Sequence, residues 1–194
     1  IRDSGIGNLF LRDKESRLAG TDRESMKTTA LLFGLDLDYV SLTLPRIPCA
    51  EEAEKITALA ELCSENFADY NAERMARLIK KRMSSGEIFV IEHKNNIAGF
   101  IMFSKKNKTI DHIAVSPDYR RIGIASRLMV TAMAQFEVGE ELSAVTFRQE
   151  HPMSDGVSRM YKKFGFDDEK NIVVRGEPLV KRTAVVPEKA IITE

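Results

Sequence analysis

The sequence predicts a mixed, mainly antiparallel α/β sheet of about six or seven strands with helices on both faces. Apolar residues recur at helical spacing in four stretches and alternate in strand fashion in the stretches between them. Turn chemistry at Lys94-Asn95-Asn96 and Gly176-Glu177-Pro178 joins neighbouring strand-like runs as hairpins. Between those hairpins, the run from Ile110 to Phe136 passes from a strand pattern through Pro117 directly into a helix.

Taken in order, residues 1–37 are expected as an N-terminal extension, 38–187 as one folded domain and 188–194 as a polar tail. Thr21-Asp22-Arg23-Glu24 has capping-box spacing and suggests a short helix to about Leu32. Tyr39 to Leu44 reads as a first strand, closed by Pro45 and Pro48. Ala53, Ile56, Leu59, Ala60 and Cys63 mark a helix over 50–66, with Glu51, Glu52 and Glu54 suiting its N-terminal end. A second helix, about 71–83, turns Met75, Leu78, Ile79 and Met83 inward and leaves Arg74, Arg77, Lys80, Lys81 and Arg82 as a basic outer band. Strands follow at 87–93, 97–103 and 109–115, then a helix over 124–138 and a strand at 143–149. A short helix carries Tyr161, and a hairpin of 172–175 with 179–186 completes the domain.

Composition narrows the function classes. The chain of 194 residues is 43% hydrophobic and 30% charged, enough apolar material for a core. Lys+Arg and Asp+Glu both number 29, so net charge gives no pull toward nucleic acid or an anionic membrane. Cys49 and Cys63 form no CxxC, which argues for reduced thiols and against a metal site. No apolar run reaches membrane-spanning length and no signal-peptide pattern is visible, so a soluble cytoplasmic protein is expected. A homodimer is compatible with these properties.

The sharpest chemistry lies after Val115. Arg120, Arg121, Ile122, Gly123, Ile124, Ala125 and Ser126 open a helix, where unpaired backbone N–H groups and the positive dipole end attract anions. Small residues at Gly123 and Ala125 admit a phosphate close to those groups, and two arginines add fork-shaped donors. The same residues would also suit a plain strand–turn–helix with a basic turn.

Arg120-x-x-Gly123-x-Ala125, following Ile113-Ala114-Val115, resembles the acyl-CoA pyrophosphate loop of GCN5-related N-acetyltransferases (GNATs). Further on, Tyr161-Lys162-Lys163-Phe164-Gly165-Phe166 is similar to that family's Y-x-x-x-G-F helix-to-strand motif. The resemblance covers about 39–186 and implies the fold above, an acetyl-CoA cofactor and a small-molecule or peptide amine as acceptor. It implies a bulged strand splaying from its neighbour, with a free N–H near Ala114-Val115 for the carbonyl and main-chain pairing of pantetheine at Ile113 and Val115. Tyr161 is then the acid for the leaving thiolate; otherwise it is a tyrosine packed at a helix–strand junction. For the base, family positions fall on Thr109, which cannot serve, on Asp111, and on Gln149 with Glu150 beside it. Asp111 is expected on the face of Ile113, with His112 facing away; His151 reads as loop. Asp111 and Glu150 are therefore the candidates, and either could equally be a surface or capping carboxylate. Ser154 stands seven residues before Tyr161, where the family often has Asn; it can still cap a helix. The expectation is direct acetyl transfer to a primary amine. The rivals are a non-catalytic acyl-CoA-binding regulatory domain and a partner- or RNA-associated module using the basic helix.

Overall fold

In the computed structural model, the described residues are 44–68, 70–147 and 154–188. The expected extension, nearly all of the strand at 39–44 and the end of the tail lie outside them. Helix α1 spans Ala53–Leu62, entered through a 3-10 turn at Ala50–Glu52 and followed by another at Ser64–Asn66. Helix α2 spans Ala72–Ser84 and is opened by Asn71, whose side chain accepts the Arg74 N–H at 2.9 Å. Strands β1 (Ile88–His93), β2 (Asn96–Ser104) and β3 (Thr109–Val115) form a meander. Then come α3 (Ile124–Met133), β4 (Glu141–Phe147), α4 (Ser154–Lys163), β5 (Asp168–Val174) and β6 (Glu177–Val185).

The six-stranded sheet has the order β1-β2-β3-β4-β6-β5. All neighbours are antiparallel except β3 and β4, which are parallel. Alternation on β1 divides the core: Ile88 and Val90 join the cluster on the α1–α2 side, while Phe89 and Ile91 join the cluster on the α3 side. Both faces of β2 are buried, which explains its unbroken apolar run. Helix α3 ends short of the expected 138, because Phe136 reaches the core from the turn beyond it, edge-on to Phe103 at 5.8 Å. No helix among the described residues is long and apolar enough to cross a membrane.

Gly99 on β2 sets how deeply α3 sits. A Cβ there would stand 2.7 Å from Ile124 Cγ2 and 3.3 Å from Leu128 Cδ1, inside contact distance. Its absence lets the first two turns of α3 lie directly on the sheet.

Outside β1, Arg46 exchanges two backbone hydrogen bonds with Val90, at 3.0 and 2.8 Å. Its guanidinium holds Glu52 at 2.6 Å and Glu92 at 2.7 Å, tying the start of α1 to the sheet edge. The hydrogen bonds from Arg46 hold the Glu52 carboxyl at about 2, against the usual 4.5. A carboxyl lowered by folding stabilises the native state above its unfolded value and loses that contribution as pH falls through its folded value. Thermal unfolding should therefore show a midpoint that drops between about pH 4.5 and 2, and Glu52→Gln should flatten that limb.

Candidate functional site

The site begins where β3 leaves β4. The two strands pair only at Thr109 with Ser143 and Ile110 with Ala144, and past those rungs they part. On its other edge β3 carries one residue too many: Ile110 pairs with Phe103 and His112 with Met102, so Asp111 is the extra residue of a β-bulge.

The bulge resets the faces of the strand. Asp111 is reached by Arg82 of α2, and His112 lies edge-on to Phe67 at 5.2 Å, so both point toward the α1–α2 layer. Ile113 and Val115 pack instead on the α3 side. Simple alternation had put Asp111 with Ile113 and turned His112 away from Asp111. The inserted residue overturns both expectations.

The wedge opens into a cavity of about 1000 Å³. Along β3 it is walled by Ile113, Ala114 and Val115. The Ser116 N–H donates to the Ala98 carbonyl at 2.9 Å, so by alternation Ala114 also bonds toward β2. The main-chain groups of Ile113 and Val115 therefore face the open side. The Val115 carbonyl accepts from Arg120 Nε at 3.3 Å, leaving the Val115 N–H directed to the wedge.

Beyond a 3-10 turn at Pro117–Tyr119, Arg121 has φ 72° and Gly123 φ 86°, and α3 begins at Ile124. A left-handed arginine costs roughly 1–2 kcal/mol, the kind of local strain that collects at functional loops. Gly123 is the N-cap and supplies no side-chain acceptor, so the first N–H groups of α3 remain for a ligand. A Cβ at Gly123 would meet nothing within 4 Å, and Gly123 lines the cavity. Arg120 Nη2 is shielded from solvent and lacks a hydrogen bond, with Glu65 3.8 Å away. An open cradle, helix-end donors and an unsatisfied guanidinium nitrogen fit a diphosphate. Arg120, Arg121, Gly123, Ile124, Ala125 and Ser126 all line the cavity. Ile122 does not, because its side chain packs on the α3-side core.

Tyr161 of α4 stands in the same cavity wall. Its ring is buried, edge-on to Phe166 at 5.2 Å, and Gly165 closes the helix at φ 79° as expected. Burial pushes the phenol well above its ordinary value, so the hydroxyl stays protonated. Buried Arg182 of β6 fixes this helix: it bonds Thr146 Oγ1 at 2.9 Å, Ser158 Oγ at 3.1 Å and the Glu169 carboxylate. Ser154 opens α4 with its side chain outside the described residues, as are Gln149, Glu150 and His151 entirely.

Asp111 lines the cavity too, but both its oxygens are occupied. Arg82 donates to Oδ2 from Nη2 at 2.6 Å and from Nε at 2.9 Å, and the Thr109 hydroxyl donates to Oδ1 at 2.6 Å. Arg82 also holds Glu87 at 2.5 Å and is only 7% exposed, although helical spacing had placed it in the outer basic band. The α1–α2 loop, which reaches the cradle where Glu65 approaches Arg120, adds two cavity residues that sequence reasoning missed. Buried Phe67 stacks on Tyr70 with centroids 6.3 Å apart, and both line the cavity beside His112.

Residues 84–168 match a family model described as an acetyltransferase (GNAT) domain. No curated protein matches the chain in sequence. The fold is similar to that of a GNAT-family acetyltransferase from Bacillus cereus, at 17% identity and TM-score 0.59, covering 74% of this chain and 96% of that one. It is similar at 15% identity and TM-score 0.60 to a GNAT-family structure from Desulfovibrio desulfuricans, over 75% of this chain and 99% of that one. Arabidopsis thaliana Naa50, whose structure holds the bisubstrate analogue CoA-Ac-MVNAL, gives 16% identity and TM-score 0.57 over 74% of this chain and 97% of its own.

The buried ion cluster yields a direct check. Arg82→Met would strand two carboxylates and should cost about 3–5 kcal/mol in urea denaturation. Arg77→Ala removes only an exposed pair with Glu73 and should change stability by less than about 0.5 kcal/mol.

Proposed function

We propose that this chain, whose residues 84–168 match the GNAT acetyltransferase model on a GNAT-like fold, transfers an acetyl group from acetyl-CoA to a primary amine by direct attack. The observation that carries the reading is Gly123, a left-handed helix cap lining the cavity, with open space where its side chain would be and unpaired amides behind it.

Acetyl-CoA would bring the acyl group already activated as a thioester. Arg120, Arg121 and the first N–H groups of α3 hold its diphosphate. Of the expected pair Ile113 and Val115, Ile113 offers its main-chain groups to the pantetheine amides, which works because β4 has already turned away, while the Val115 carbonyl already accepts from Arg120. The Val115 N–H is directed to where negative charge develops on the attacked carbonyl; one such donor is worth about 3 kcal/mol. Tyr161 donates a hydrogen bond to the departing sulfur. Full proton transfer from so raised a phenol to a thiolate of ordinary pKa, about 8.5, would run uphill, so its work is hydrogen-bond donation.

Gly123→Glu should abolish acetyl-CoA binding by calorimetry while thermal unfolding stays cooperative, since the new side chain and its charge enter the diphosphate cradle. Unchanged affinity would refute the loop's role. Tyr161→Phe should lower kcat by roughly 10–100-fold with little change in acetyl-CoA affinity, read by free-thiol release.

A further inference from the structure

The cavity wall made by the α1–α2 loop and β3 holds two polar atoms that the fold does not satisfy. Tyr70 Oη and His112 Nδ1 are both shielded from solvent and have no hydrogen-bond partner. Phe67 touches both residues, stacked on Tyr70 and edge-on to His112, and all three line the cavity. Folded proteins rarely leave buried polar atoms unpaired, and two on one cavity wall mark a place where a ligand or its water completes the bonding. We propose that His112, held between this aromatic wall and the Asp111–Arg82 pair, takes the acceptor's proton, and that Phe67 and Tyr70 seat the acceptor beside it. The proposal rests on the acetyl-transfer reading.

Asp111 is a poorer station for that proton because Arg82 and Thr109 already occupy its oxygens. His112 is in the opposite state. Burial pulls its pKa below the ordinary 6.5, so at neutral pH the imidazole is uncharged and has a lone pair to offer. The charged groups acting on it are Asp111 on its own strand and Arg82 on α2. Arg74 of α2 lines the same cavity, and the Tyr70 phenol, raised by burial, stays neutral. Asp111 and Glu87 both bind Arg82, so this cluster of two carboxylates and one guanidinium carries one net negative charge. Of these groups, Asp111 favours the imidazolium and Arg82 opposes it.

The step balances. As the C–N bond forms and the C–S bond breaks, the neutral amine loses one proton to His112, directly or through one water. The sulfur leaves as a thiolate, hydrogen-bonded by Tyr161. The imidazolium returns its proton to solvent, the thiolate takes one up, and the products are an amide and free CoA thiol.

The test uses the full chain, acetyl-CoA and a panel of free-N-terminal peptides, lysine peptides, a polyamine and small aliphatic amines. Wild type should show an acid limb in kcat with a midpoint below 6.5, falling as pH drops and flat above. His112→Gln should lower kcat at least ~100-fold and remove that limb, with melting temperature and CoA affinity retained. Tyr70→Phe should raise the acceptor KM several-fold and leave the limb in place. Imidazole NMR should show His112 neutral at pH 7. A folded His112→Gln with wild-type kcat and pH profile overturns the inference alone, as does a His112 still protonated at pH 7. A wild type that binds acetyl-CoA but acetylates no amine in the panel overturns the functional reading and the inference with it.

Discussion

Asp111 is the residue that β3 carries and β2 does not pair, and the kink it introduces sits just where β3 abandons β4. A bulge bends its strand and increases local twist. Two strands that would otherwise run on as a ladder then diverge, and the main-chain groups of Ile113 and Val115 are left facing a wedge. The same insertion sends Asp111 and His112 to one face, supplying the carboxylate that anchors α2 and the imidazole that lies against Phe67.

A gap in a sheet needs bracing, because its walls have given up their hydrogen bonds to each other. Two buried arginines do this from opposite sides. Arg82 joins α2 to the entry of β1 through Glu87 and to the bulge through Asp111. Arg182 joins β6, β4, β5 and α4 through Thr146, Glu169 and Ser158. Buried charges of this kind add little net stability over a well-packed apolar core. Their directional bonds fix geometry, each within the half of the sheet on its own side of the wedge.

The parts of the site that were legible in the sequence are those built from contiguous residues. The loop from Arg120 to Ser126 and the Tyr161–Phe166 motif each declare themselves by local spacing, and their structural context matches what that spacing implied. The succession of strands and helices along the chain was equally legible, since turn residues and alternation mark the hairpins. Long-range causes were not. A single strand bears no mark of a bulge, because the extra residue exists only relative to its partner, so the faces of Asp111 and His112 were misread. Arg82 looked like surface because its partners, Glu87 and Asp111, come from other elements. Tyr70 and Phe67 had no motif to announce them. Phe136 kept helical spacing after the helix had ended, which made α3 read too long.

Gly99 never touches the cavity, yet it governs the cavity's floor. The donors at the head of α3 owe their height above the sheet to a missing methyl group on the neighbouring strand. The loop can therefore keep every one of its own residues and still lose its grip if that distant position gains bulk. The height of this helix above the sheet is set by a mooring point spelled two dozen residues upstream of the loop that opens it.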